Sequence, residues 1–500
     1  MPNPTSKRLY LVVAACAVTV YLGALWNRFA LDDNQIVAFN ALVQRISGVW
    51  LAFARPYWPV DIGGGLYRPV PVASYAIDSW LAGRAATWWF HAVNVTWHAG
   101  VSVAVACLAR RWSGTRAGLA AGLLFAVHPV HVEAVANVVG RAELMAALGA
   151  VLAVYAALGR DSIAVSAAAL GFGLLSKENA IVAPALVAFG WMVGLARPSR
   201  RRMAAYGAAW LVVGVLYFTA RWAVLHREPL GGPAAVFYGA SPIAVRLTAM
   251  AAFADFTRLL VLPLKLRADY SPAERTLVTT PLDLRFAVGL LCLALWAGLL
   301  WLAWRRGRRM EAFGLGWIAI ALAPISNLVL PVGVLVAERA LYLPSVGLAL
   351  ALGAWLTDLE TRRFAWVLGL LVAAGSVRTA LRVPVWRDSR SLIRSMLEDS
   401  PRSFVGPAQM ALLYLTGHQP AKALEAFRVA TATYDVVLPW LYVNGAEAAF
   451  ASGHAPLADS ILNRLELTCR PCDFYYRNEA PIARGRGYPA AADSFLARIR

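Results

Sequence analysis

The sequence predicts an all-α fold: a polytopic membrane helix bundle of about 11 spans plus one re-entrant or interfacial helix, followed by a C-terminal tetratricopeptide-like helical repeat domain. Three observations predict it. Of 500 residues, 59% are hydrophobic and 15% charged, against roughly a quarter charged in a soluble globular domain. The Lys and Arg behind a net charge of +19 gather in short loops between apolar runs, as cytoplasmic loops of membrane proteins do, and this distribution argues against a nucleic-acid partner. Beyond residue 383 the chain turns polar and carries imperfect repeats.

Apolar runs long enough to enter a bilayer fall at 9–26, 89–109, 116–130, 143–159, 161–175, 179–196, 203–222, 284–304, 311–329, 341–357 and 364–381. The first follows Lys7 and Arg8 and lacks a small-residue cleavage site, so it reads as an uncleaved helix. With the N-terminus inside, Arg110, Arg111, Arg116, Arg160, Arg197, Arg200 to Arg202, Arg305, Arg306, Arg308, Arg309, Arg362 and Arg363 all lie on the cytoplasmic side. The run 242–263 is interrupted by Arg246, Asp255 and Arg258, each costing about 2.5 to 3.5 kcal/mol at mid-bilayer. It is read as a re-entrant or interfacial helix with Asp255 and Arg258 paired, a twelfth span being the alternative. Nineteen Trp and seventeen Tyr suit two interfacial belts.

An odd number of crossings sends the tail outside. The domains are then 1–383, membrane-embedded with 27–88 as the first outer loop, and 384–500, extracytoplasmic. The tail segments "LYLTGHQPAKALEAF", "AFASGHAPLADSIL" and "ARGRGYPAAADSFLARI" recur at about 35 residues, the period of tetratricopeptide helix pairs; a plain helical cap is the alternative. Cys16, Cys107 and Cys292 lie inside apolar runs as small hydrophobes. Cys469 and Cys472 form a Cys-x-x-Cys that suits a local disulfide, or zinc if two further ligands existed.

Acidic residues and histidines concentrate on the outer side, and the cytoplasmic loops leave no room for a nucleotide-binding domain. Asp32 and Asp33 open the first outer loop; adjacent carboxylates raise each other's pKa, which suits a general base, and a solvated helix-end pair is the bland alternative. In the same loop Arg68 sits among aromatic and proline residues as a candidate anion clamp. "HPVHVEAVANVVGRAEL" crowds His128, His131, Glu133, Arg141 and Glu143 between two apolar runs, where ionisable groups are costly unless paired or used. Its His-x-x-His-x-Glu matches no zinc helix signature, so structural histidines are the simpler reading and a divalent metal stays open. Lys177 and Glu178 occupy a hairpin tip; Glu338 and Arg339 lead into a span with Tyr342 and Ser345 on following turns.

"LDDNQIVAFN", "LYRPVPVASYAIDSW", "WWFHAVNVTWHA", "FAVHPVHVEAVANVVGRAEL", "LLSKEN", "LPVGVLVAERALYLPSVG" and "WRDSRSLIRSMLEDSP", in that order over about 400 residues, resemble the transmembrane and tetratricopeptide-repeat O-mannosyltransferase family of the C-type glycosyltransferase superfamily. The resemblance implies transfer of a hexose, mannose in that family, from a polyprenyl-phosphate lipid to an acceptor hydroxyl on the outer face. It implies Asp32 and Asp33 as catalytic acids; Glu133 joins them as a candidate. Arg68, Arg141, Lys177 and Arg339 are the bases available to a lipid phosphate, with His128, His131, Glu143, Glu178, Glu338 and Tyr342 in support. The lipid-linked sugar donor enters as co-substrate, and a divalent metal stays open. The acceptor is expected to be protein Ser or Thr engaged by the tail. The tail's three repeats are fewer than in animal members, and Asn179 stands where those members have Gln, which leaves sugar and acceptor open. A secondary transporter and a membrane-anchored repeat scaffold are the rival readings; transporters show internal repeats and midplane charges, neither of which is found here. The Ala- and Arg-rich composition reads as bacterial, placing the chain in the inner membrane with its tail in the periplasm; in a eukaryote the same topology means the endoplasmic reticulum.

Overall fold

The computed structural model describes residues 4–59, 65–226, 233–469 and 472–499, and no strand occurs among them. The chain divides into two compact units: Met1–Ala234, Ala240–Leu266 and Leu277–Ser389 form the first, and Ala235–Gly239, Arg267–Thr276 and Arg390–Arg500 the second.

The first unit is built on α1 (Pro4–Val20), α2 (Pro69–Ala82), α3 (Thr87–Ala126), α4 (Arg141–Gly159), α5 (Ile163–Ser176), α6 (Ala183–Met192), α7 (Arg200–Leu225), α8 (Pro242–Val261), α9 (Leu284–Arg305), α10 (Arg309–Leu322), α11 (Tyr342–Trp355) and α12 (Thr361–Arg382). Among the described residues, six helices are long and apolar enough to cross a membrane: Thr87–Ala126, Val138–Gly159, Arg200–Leu225, Leu284–Arg305, Glu338–Asp358 and Thr361–Trp386. The apolar window of α9 is only 11% buried and that of α7 17%. Water cannot face that much contiguous apolar surface, and a bilayer can.

Two of the expected crossings, 89–109 and 116–130, share one of these six helices. α3 is two antiparallel arms that reverse at Gly114, φ 80°: a Cβ on Gly118 would strike Arg110, and Ala126 O lies 3.0 Å from His98 Nε2. α5 and α6 have 14 and 10 residues, about 21 and 15 Å at 1.5 Å per residue. Hydropathy cannot see where an α-helix gives way to the 3-10 turns that carry charged residues, such as Glu178–Val182 and Glu338–Leu341. The expected re-entrant segment is one continuous helix, α8, with Asp255 and Arg258 3.7 Å apart.

Two glycine contacts fix the helices that present Glu143, Lys177 and Arg339. A Cβ on Gly149 would lie 2.7 Å from Gly173 Cα, locking α4 against α5; one on Gly314 would lie 2.5 Å from Gly347 O, locking α10 against α11. Such backbone approach is how membrane helices gain packing energy without a hydrophobic driving force between them.

In the second unit, helix pairs Val405–Thr416 with Pro420–Thr433, Pro439–Ala451 with Ala455–Glu466, and Asp473–Gly485 with Pro489–Ala497 begin 34 residues apart. Cys469 and Cys472 are joined in a disulfide. The turn within each pair has a left-handed residue: Gly453 (φ 79°), Gly487 (φ 84°) and, in the first, His418 (φ 54°). An L side chain in that region costs on the order of 1 kcal/mol. His418→Gly is therefore expected to stabilise the tail by about that amount, read as a higher urea midpoint; no change would show that the histidine side chain compensates.

Candidate functional site

Asp32 and Asp33 follow a turn made by Leu31, whose φ of 43° is unusual for a side chain of its size. The turn is held in place by Ser389 Oγ, which accepts from Leu31 N at 3.0 Å. Asp33 is 1% exposed. Its Oδ2 accepts from Ala30 N at 3.1 Å and its Oδ1 from Val139 N at 2.8 Å, tying this loop to the start of α4. Asp32 points the other way and reaches solvent. The two carboxylates expected to act as a pair are therefore in different environments.

Burial pushes the Asp33 carboxyl up from 3.8 to about 7, although the N–H groups of Val139 and Ala30 pull it down. The surrounding protein also raises the Asp32 carboxyl, with Arg339 lowering and Glu133 raising it. A raised folded-state pKa means the folded form holds its proton more tightly. The contribution of Asp33 to stability is thus complete below about pH 3.8 and is lost as pH rises through about 7. Thermal unfolding of wild type and Asp33→Asn across that window is expected to show this component of the slope only in wild type; equal slopes would mean that Asp33 titrates normally.

Three cations at helix ends each face a glutamate. Arg339 pairs with Glu133 through its guanidinium, and Glu133 Oε2 also accepts from Arg339 N at 2.8 Å. Lys177 pairs with Glu143, whose second oxygen accepts from Asn179 Nδ2 at 3.0 Å. Arg68 grips Glu178 through two bonds of 2.6 and 3.1 Å and lies 5.3 Å over the Tyr57 ring. Glu133 and Glu143 are buried and act as anchors, while the Arg339 side chain keeps 39% of its surface exposed. Electrostatic coupling links Arg339 to Asp32, Glu133 and Glu143, and Lys177 to Arg68, Glu143, Glu178 and Arg339, so the groups form one array. Burial pulls the Lys177 ammonium below its ordinary value, with Glu143 holding it up.

Arg141 is not in this array, contrary to the sequence expectation. It is 0% exposed. It pairs with Asp78 and donates to Asn94 Oδ1 at 2.7 Å, Ser74 Oγ at 3.0 Å and Phe90 O at 3.0 Å. With Tyr75 4.6 Å beneath its plane, it has no face left for a ligand. The expected supporting histidines are likewise internal: His128 Nε2 meets Leu260 O at 2.9 Å, and His131 Nε2 meets Ser345 Oγ at 2.7 Å. Tyr342 OH meets His98 Nδ1 at 2.8 Å. The His131–Ser345 contact ties the turn before Glu133 to α11, the helix that follows Arg339. Glu338 is buried beside its neighbour Arg339. Among the described residues, no group of three or more His, Cys, Asp or Glu is placed to hold a metal ion; His128 Nε2, His131 Nε2 and the Glu133 carboxylate each go to a different partner.

Sequence reading overlooked Asp78 and Asn94, the partners that consume Arg141, and Arg221, near the outer end of α7, which donates to Gly65 O at 3.3 Å. Asp78 and Asn94 read as an ordinary helix charge and an ordinary span polar group; a signal existed for Arg221, a lone cation at the outer end of an apolar run.

No family model matches the chain. It is similar to the human protein O-mannosyl-transferase TMTC4, 29% identical over 471 residues, covering 78% of this chain and 62% of that protein. It is also similar to human TMTC3, 25% identical over 80% of this chain and 48% of that protein, and to Drosophila melanogaster Tmtc2, 31% identical over 58% and 33%. The chain thus spans about six tenths or less of these relatives' length. Superposition on ArnT from Cupriavidus metallidurans bound to undecaprenyl phosphate gives a TM-score of 0.42 at 13% identity, covering 98% of this chain and 77% of that one. The archaeal oligosaccharyltransferase AglB gives 0.39. Both superpositions are too loose to bear on the fold.

Proposed function

We propose that this chain is a member of the transmembrane and tetratricopeptide-repeat O-mannosyltransferase family, to whose proteins it is similar, and that it moves a hexose, mannose first among the candidates, from a polyprenyl-phosphate lipid to a hydroxyl on the extracytoplasmic face. The observation that carries this reading is the array of Arg68, Lys177 and Arg339 beside a solvent-reaching carboxylate, Asp32, at the ends of apolar helices. A lipid phosphate arriving sideways through the bilayer needs cations at the headgroup level and no nucleotide site.

Asp32 takes the proton of the acceptor hydroxyl as its oxygen attacks the anomeric carbon. The bond from that carbon to the phosphate oxygen breaks, and the lipid phosphate leaves with one more negative charge, which the three cations stabilise. A single displacement inverts the anomeric centre. Asp33, both oxygens committed to backbone N–H groups, positions Asp32 and does not touch substrate; which carboxylate can reach a proton is decided by geometry before pKa. Glu133 and Glu143 aim Arg339 and Lys177.

The helix pairs at 34-residue spacing are read as tetratricopeptide repeats that present a concave surface to a protein acceptor carrying Ser or Thr. The membrane is the bacterial inner membrane, with the tail in the periplasm. The test is transfer of labelled mannose from polyprenyl-phosphate mannose to Ser- and Thr-containing peptides by purified wild type, the assay on which the active-site variants below are compared. Absence of transfer and of donor hydrolysis across a panel of sugars would reject the reading.

A further inference from the structure

A groove of about 540 Å³ runs between α5, α6 and α7, within the usual size of ligand sites. Its floor is buried Leu174 and Trp210; Ile181, Phe218 and Trp222 form an exposed rim facing the hydrocarbon. Gly214 lines it, and a Cβ there would meet nothing within 4 Å. At its outer end Leu174 lies one turn before Lys177, Ile181 follows Glu178, and Arg221 sits on the same turn as Phe218 and Trp222.

We infer that this groove holds the first isoprene units of the donor lipid, with Lys177, Arg68 and Arg221 meeting its phosphate at the outer mouth. The inference rests on the function proposed above and adds the path of the lipid and a cation, Arg221, that the sequence analysis passed over. An apolar channel alone would suit any acyl chain. What selects a polyprenyl phosphate is the nearness of cations in the chain to the groove's lining: Leu174 lies one turn before Lys177, and Ile181 follows Glu178, the partner of Arg68. Trp210 is held in the floor by a 3.1 Å hydrogen bond to Ser166 Oγ, so the groove keeps its shape without an occupant. Unbranched rims would do for straight acyl chains; the aromatic rim of Phe218 and Trp222 offers flat faces to the methyl-branched, unsaturated isoprene units.

The experiment uses full-length protein in nanodiscs of phosphatidylethanolamine and phosphatidylglycerol, with a sugar-free long-chain polyprenyl phosphate bearing a diazirine on an isoprene unit near the phosphate. Cross-links are expected in the segments 170–184 and 210–222, suppressed by excess unlabelled polyprenyl phosphate and not by added phosphatidylglycerol. Gly214→Trp, which fills the groove, is expected to lower labelling by about tenfold, as an occluded apolar site should. Gly207→Trp, on the same helix with equal open space but outside the groove, is expected to leave it unchanged and controls for folding. Arg221→Gln is expected to weaken competition by the phosphate and not by the corresponding polyprenol. Cross-links on other helices, or equal suppression by phosphatidylglycerol, would overturn the inference. Because the probe carries no sugar, either result is independent of whether transfer is observed.

Discussion

Asp32→Asn is expected to lower kcat for mannosyl transfer by about 10² to 10⁴-fold, the range that a positioned general base contributes, with the thermal midpoint unchanged. The side chain reaches solvent, so removing its charge takes nothing from the packed interior. Asp33→Asn is expected to behave in the opposite way. Its carboxylate accepts from two backbone N–H groups, and an amide can accept from only one of them while its NH₂ faces the other donor. An orphaned buried N–H costs about 1 to 3 kcal/mol, so the thermal midpoint should fall and activity should fall with it, in proportion to folded protein. Measuring both kcat and unfolding for each variant separates the roles. If Asp33→Asn were fully folded and dead while Asp32→Asn turned over normally, the assignment of base and positioning residue would be reversed.

Arg141→Ala is expected to cost about 3 to 5 kcal/mol, the loss typical of breaking one partner of a buried ion pair. It would leave Asp78, 4% exposed, without its counter-ion and empty the space between α2, α3 and α4. Arg141→Lys is expected to rescue little, because an ammonium cannot reach Asn94, Ser74, Asp78 and the Phe90 carbonyl at once as the planar fork does. The double change Arg141→Met with Asp78→Leu is expected to recover much of the loss, since apolar groups of similar volume often replace a buried pair without net cost. Unfolding of detergent-solubilised variants followed by tryptophan fluorescence gives the numbers. A folded Arg141→Lys protein whose only defect is a raised KM for donor would instead return Arg141 to the phosphate.

These two experiments test the places where the linear sequence said least. Asp32 and Asp33 are adjacent, share one side-chain chemistry and read as a pair; the turn at Leu31 sends one to solvent and the other under the start of α4. The same holds for the bases. Arg68, Lys177, Arg141 and Arg339 look alike as cations beside outer turns. Yet Arg141 finds an acid 63 residues away in the interior, and Arg339 one 206 residues away at the surface.

What the sequence by itself determined is what depends on composition and local order. The apolar runs make a helical membrane domain, because every backbone group in hydrocarbon must be satisfied within its own helix. The 34-residue recurrence makes stacked helix pairs, because each pair can bury its apolar face only on the next. The outer-loop charges could be recognised as costly, and therefore as paired or used, from position alone. Which of them are paired and which remain for chemistry was decided only by the tertiary structure. Coulomb attraction and hydrogen bonding act over a few ångströms, and only the close approach of α4 to α5 at Gly149 and Gly173, and of α10 to α11 at Gly314 and Gly347, sets which charges come within that range.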